Sequence, residues 1–238
     1  MLSSLLVSSL FTAGLALRPV ATPVVSRRAA LLAPLAVVGC HQPAQAASLT
    51  RQGMQAFAAG KVEESIRIYD SIIEASPASK PYLWQRGLSL YYADRFADGA
   101  EQFAADVAVN PNDTEEQIWH LLCLSQVKGS LDAARPFKLT VGTDRRPVMR
   151  AAQALFLSGG SEAEAALADI AKNGDSGAKF YAALYLSLYY ESLAEKAKAE
   201  NRMKEAVATD YARGGGRSDP MVELAQVAMD RRGWAGKQ

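Results

Sequence analysis

A fixed spacing of 34 residues constrains this chain more than any other feature: laid against itself, the sequence brings Gly53 onto Gly87, Phe57 onto Tyr91, Val62 onto Phe96, Tyr69 onto Phe103 and Pro77 onto Pro111. A recurrence of that length marks a repeat array in which each unit is a pair of helices that buries its apolar face by stacking on its neighbours. The residue types suit the mechanics. Gly53 and Gly87 stand where the two helices of a pair cross, and only a small residue there lets the axes approach. Ser65 and Gly99 are the small partners on the second helix, and Tyr69 and Phe103 fill the wedge beside the crossing. Pro77 and Pro111 stop the second helix, because proline lacks an amide and restricts the residue before it.

Later units carry weaker marks. Leu121 takes the glycine place, Ala133 the second small place and Phe137 the aromatic place, while Pro136 falls inside the expected second helix and should shorten or kink it. Residues 141–147 read as a loop, and helical spacing predicts a pair over 148–158 and 162–171, split at Gly159-Gly160. A last unit spans about 179–210, its register drifted by two, with Tyr190, Ala199, Met203 and Ala206 at the aromatic, small, aromatic and small places. Beyond Gly214-Gly215-Gly216, Asp219-Pro220 supplies an N-cap and a first-turn proline for a final helix to about Arg232, expected to cap the open end of the array. The expected fold is therefore all-α, a superhelix of antiparallel helix pairs over 47–238 with a C-terminal capping helix.

Residues 1–46 read as a two-part targeting leader. Residues 2–17 are uncharged and largely apolar, like a signal-peptide core, and a second signal follows: Arg27-Arg28, the apolar run 29–39, then Ala44-Gln45-Ala46, a small-x-small site that a signal peptidase could cut before Ala47. Eleven apolar residues fall short of the ~20 that a spanning helix needs, so the run is an address and no membrane span is expected in the mature chain. Val37-Val38-Gly39-Cys40 also fits a lipobox, which would anchor the chain through Cys40. Arg18, Arg27 and Arg28 are the only charged residues before Ala47, so the body carries 23 of the 26 basic residues against all 25 acidic ones. That balance offers no field for nucleic acid.

The 34-residue period and its residue places resemble the tetratricopeptide repeat (TPR). In order of units, with RGLSLYY (86–92), NPND (110–113) and YLSLYYESL (185–193), the chain is similar to small periplasmic TPR lipoproteins of the new-lipoprotein type. LWQRGLSLYYADRF (83–96), NPNDTEEQIWHLLC (110–123), DRRPVMR (144–150) and the closing RRGW (231–234) resemble plant and algal plastid TPR proteins of unsettled function. The first likeness implies an adaptor for proteases or wall hydrolases. The second, with the layered leader, implies the thylakoid lumen, where clients would be photosynthetic-complex subunits or a processing protease; the alternative is a lipid-anchored adaptor in a bacterial periplasm. In one respect the chain departs from the repeat pattern, for Asp106 holds a place normally given to alanine, which bears on how the second and third units pack.

Catalytic constellations are not evident. His120 and Cys123 lie three apart on one helix, but two ligands without a third make a poor metal site, and nothing nearby completes a nucleophilic set. No metal or cofactor is expected. Asp113-Thr114-Glu115-Glu116 opens a helix and is read as capping oxygens and first-turn acids. Contact with a protein or peptide client is expected from Trp84, Leu88 and Tyr91, one stripe at i, i+4, i+7 on a first helix, with Trp119 one unit on. Arg145 and Arg146, on the loop, are candidates to clamp a carboxylate.

Overall fold

A computed structural model describes residues 42–235, and these form helices and turns with no strand among them. Arg27, Arg28 and Cys40 lie outside the described residues. Helical structure begins at Gln42, ahead of the expected Ala47 boundary, and Ala46 packs inside the first helix against a small cluster of Tyr69, Ile72 and Leu83. No described helix is long and apolar enough to cross a membrane.

The helices come as consecutive packed pairs: α1 (Gln42–Ala58) with α2 (Val62–Ala75), α3 (Trp84–Tyr92) with α4 (Phe96–Val109), α5 (Thr114–Lys128) with α6 (Leu131–Ala134), α7 (Pro147–Ser158) with α8 (Ser161–Asn173), and α9 (Ser176–Ser192) with α10 (Lys196–Val207). The one-turn α11 (Asp210–Arg213) and α12 (Pro220–Arg231) follow. Two-to-three-residue turns inside most pairs leave room only for antiparallel neighbours. One turn is used repeatedly. The amides of Lys61, Arg95 and Glu195 each reach back five residues, to the carbonyls of Ala56, Leu90 and Tyr190, each at 2.9 Å. Gly60, Asp94 and Ala194 supply the left-handed residue that this closure needs, at φ of 74°, 56° and 58°.

At the crossings, a β-carbon on Gly53 would lie 2.6 Å from the Tyr69 ring, and one on Gly87 would lie 2.5 Å from that of Phe103. Ser65 Oγ donates to the Gly53 carbonyl at 2.8 Å, and Ser187 Oγ donates to that of Ala199 at 2.7 Å, so a hydroxyl bridges the first and last pairs at equivalent places. The space over Gly99 is taken by Cys123, whose Sγ would stand 2.8 Å from an added β-carbon. Pro77 ends α2 and opens a 3₁₀ turn over Pro77–Tyr82, and the Pro111 carbonyl holds the later loop by accepting the Gly142 amide at 2.8 Å.

The third pair differs from expectation. Pro136 stops α6 after a single turn and turns the chain into a 3₁₀ segment, Arg135–Phe137. In that truncated helix Ala133 faces solvent and Ala134 takes the buried place, while Phe137 is 55% exposed, with Lys128 Nζ 3.7 Å from its ring centroid. The small and aromatic places are thus vacated because the helix is too short to carry their register.

The larger difference is the last helix. Asp219 caps it as expected, its Oδ1 accepting the Met221 amide at 2.9 Å, but α12 does not sit on the end of the row. It packs on α10 and crosses back onto α1 and α3, with Met221, Val222, Leu224, Ala225, Val227, Ala228 and Met229 all buried. Arg231 donates to the Tyr92 carbonyl at 3.0 Å, and Arg232 Nε donates to Glu191 at 2.7 Å. First and last pairs therefore share one core.

Gly87→Leu is expected to lower the melting temperature steeply, since overpacking a crossing costs ~1–3 kcal/mol or more and Phe103 has no free space to yield. Gly215→Ala, where nothing lies within 4 Å of an added β-carbon, should leave it unchanged. Thermal unfolding followed by circular dichroism reads both.

Candidate functional site

Closure by α12 decides which expected contact residues can meet a partner. Leu88, Tyr91 and Trp119 are buried, so they form no open client stripe, and Leu88 and Trp119 come to the surface only as wall of a cavity. Tyr91 meets Trp119 and Tyr92 edge-on, each with ring centroids 5.2 Å apart, and the Arg232 guanidinium lies 5.6 Å from its ring centroid. Trp119 in turn stacks on Phe103 at 6.2 Å. The stripe at i, i+4, i+7 is real, but a helix from the far end of the chain covers it. Trp84, at the start of α3, stays half-buried.

Trp84 opens instead onto a cavity of about 270 Å³ between α3, the start of α5, the loop before α7, α9 and the start of α12. Leu88, Trp119, Tyr181 and Met221 supply much of its wall, and Asp113, Glu115, Glu116, Asp219 and Arg146 bring charge to it. Each charge is placed by a local rule. Asp113 caps α5, its Oδ1 accepting the Glu115 amide at 3.0 Å. Asp219 caps α12, and its Oδ2 also accepts the hydroxyls of Tyr181 and Tyr211, both at 2.8 Å. Arg146 precedes Pro147, the first residue of α7, and its Nη2 lies 2.8 Å from both Glu115 and Asp144. The expected carboxylate clamp is thus already filled by the protein's own acids. Arg145 is exposed beside it, its carbonyl accepting from Arg150 at 2.8 Å.

Glu115 accepts the Tyr185 hydroxyl at 2.9 Å as well as the Arg146 contact. Burial raises its carboxyl above the ordinary range, and Arg146 and Tyr185 pull it back. Glu116 is the exception. It is 5% exposed, and its Oε2 finds no hydrogen-bond partner among the described residues. Glu116 does not complete a capping box, since the amide that it would accept, that of Asp113, donates to the Asn110 carbonyl. Burial, with the Asp113 carboxylate beside it and Asp106 behind, pushes its pKa up to about 10. Asp106, buried on α4 at the unusual place noted in the sequence, is itself raised to about 6 by burial and by Asp113.

His120, one turn further along α5, is lowered to about 4 by burial, and the buried Cys123 thiol is raised for the same reason. Among the described residues no group of three His, Cys, Asp or Glu side chains could hold a metal. Sequence reasoning missed Tyr181, Tyr185 and Asp219 as members of this site. Their i, i+4 spacing on α9 and the Asp-Pro cap were visible, but nothing in the sequence aims them at α5. No family model and no curated protein matches the sequence.

Between pH 7 and 9 the unfolded chain has released the Glu116 proton and the folded chain keeps it, so stability falls as pH rises there. His120 acts in the opposite sense only below about pH 6.5. Glu116→Gln, which imitates the protonated acid, should raise stability at pH 8 and flatten that slope by up to about 1.4 kcal/mol per pH unit. Urea unfolding at pH 7, 8 and 9 measures it, and an unchanged slope would contradict the assignment.

Proposed function

We propose that this chain is a TPR-class protein-binding adaptor or assembly factor that works without its own catalysis. Its clients are a protein or peptide segment, drawn from photosynthetic-complex subunits or a processing protease of the thylakoid lumen. The observation that carries this reading is the convergence of Trp84 and the Arg146 loop on one cavity at the junction of three helix pairs and the last helix. Repeat arrays use such inter-unit junctions to hold extended partners. The crossing glycines with their facing rings, the recurrent turn and the 34-residue spacing support the TPR class. The double-arginine leader and Ala46 support export to the lumen. Contact with the client falls to Trp84 and Arg146, which line the cavity, and to Arg145, exposed on the same loop.

Trp84→Ala is expected to keep the fold, because the side chain is only half-buried, and to weaken client capture by about tenfold or more, as loss of an aromatic anchor does. Tyr91→Ala should instead cost ~3–5 kcal/mol of folding stability, as a truncated core aromatic does. The measurement pairs thermal unfolding with mass-spectrometric identification of proteins retained from a lumen extract. Equal retention of the same clients by wild type and a folded Trp84→Ala variant would refute the site.

A further inference from the structure

Four carboxyl-bearing side chains reach the cavity and a single cation, Arg146, answers them. Arg146 is already divided between Glu115 and Asp144. Asp219 is held by two tyrosine hydroxyls and its cap amide, which disperse its charge without cancelling it. Asp113 caps α5 through one oxygen and accepts Asn110 Nδ2 at 3.2 Å through the other. That leaves Glu116, 95% buried, with an oxygen that faces no donor. Protonated, Glu116 can donate to the Asp113 carboxylate beside it, but its Oε2 has no partner among the described residues, and a cation entering the cavity at whose wall it stands would supply the charge that lets it ionise. The apolar part of the wall, Trp84, Leu88, Trp119 and Met221, fits the alkyl stem or flat face of such a group. At about 270 Å³ the space lies just below the ~300–1,000 Å³ of small-molecule pockets and suits one side chain.

We propose that the cavity receives one protonated basic side chain of the client, the guanidinium of an arginine or the ammonium of a lysine, with Glu116 as its counter-charge and Trp84 against its stem. The inference rests on the adaptor reading for the source of that side chain. On entry the Glu116 carboxyl releases its proton to solvent, and the carboxylate formed pairs with the arriving cation. The charged and titratable groups around Glu116 agree with this: Asp106 from α4, Asp113 at the α5 cap, Glu115 and His120 on its own helix, Tyr181 and Tyr185 from α9, Arg146 from the loop and Asp219 from α12 leave a surplus of negative charge once Arg146 is spent. Glu116 is thus unfavourable to the empty fold and favourable to the occupied one, as residues kept for binding at the expense of stability are.

The test is isothermal titration calorimetry of the full chain with N-acetyl-arginine methylamide, N-acetyl-lysine methylamide and N-acetyl-glutamine methylamide. It is run at about pH 7.5 in two buffers of different ionisation enthalpy, so that proton release is counted. The arginine and lysine probes should bind with net proton release and the glutamine probe should not. Glu116→Gln should stay folded, lose the proton release and weaken binding by about tenfold or more. Trp84→Ala, with the acid intact, should weaken binding while retaining the release. No binding of either cationic probe at millimolar concentration, equal binding of the glutamine probe, or an unaltered Glu116→Gln variant would each overturn the proposal. Displacement of the probes by equimolar magnesium would overturn it too, by showing a metal-type site. If client capture depends on Trp84 but no cationic probe binds, the cation pocket fails and the adaptor reading stands. If the probes bind but no client is retained from extract, the adaptor reading fails and the ligand is a free amine.

Discussion

The contact on which the rest of the structure depends is the one that Arg232 makes. Its guanidinium donates to Glu191 at 2.7 Å and lies 5.6 and 5.3 Å from the ring centroids of Tyr91 and Tyr92, joining the end of the chain to the second and fifth helix pairs. Burial raises the Glu191 carboxyl, and Arg232 opposes that rise, so each partner makes the other's burial tolerable. Arg231, on the same turn, ties to Tyr92 across 139 residues of sequence. An array of helix pairs held only by neighbours would leave its inner aromatic residues wet. Here they are dry because α12 lies across them.

That closure explains how the site came to be where it is. With the α3 stripe covered, Trp84 and Leu88 meet solvent at the cavity by the N-terminal ends of α5 and α12. Helix N-termini carry free amides and the positive end of the helix dipole, which suit the capping acids Asp113 and Asp219. Glu115 and Glu116 follow from the first turn of α5. Two of these four acids are satisfied by side chains from α9 and the loop, one largely by caps, and one is left without a donor. The electrostatic character of the site is a consequence of where the helices begin.

Much of the fold was legible in the sequence because the repeat is a local device. Gly53 and Gly87 announce crossings by their size, and the rings of Tyr69 and Phe103 lie against them. Asp113, Gly159-Gly160 and Asp219 mark helix ends by rules that act within a turn. What was not legible depends on distance. Ala133 was one place off because Pro136 left α6 a single turn, too short for the 34-residue register to persist. The Tyr91 and Trp119 stripe looked like a binding face because a solenoid is expected to contact only its neighbours, and no spacing announces that a helix more than 130 residues away will return to it. The same holds for Tyr181, Tyr185 and Asp219, whose pairing with the α5 end is purely tertiary. Asp113 to Glu116 were read together as capping oxygens and first-turn acids, and only the geometry shows that Asp113 caps while the Asp113 amide is engaged by Asn110 and leaves Glu116 out of a cap.

If α12 is an integral part of the core and not an end cap, its amides must open only when the whole body unfolds. Native-state hydrogen exchange measures this directly, since it resolves opening free energies helix by helix. The account predicts that the amides of Leu224 to Met229 exchange with the same free energy as those of α3 and α5, and that all share one dependence on denaturant. Exchange of α12 at markedly lower free energy, with α3 and α5 still protected, would show a detachable cap and contradict the closed core.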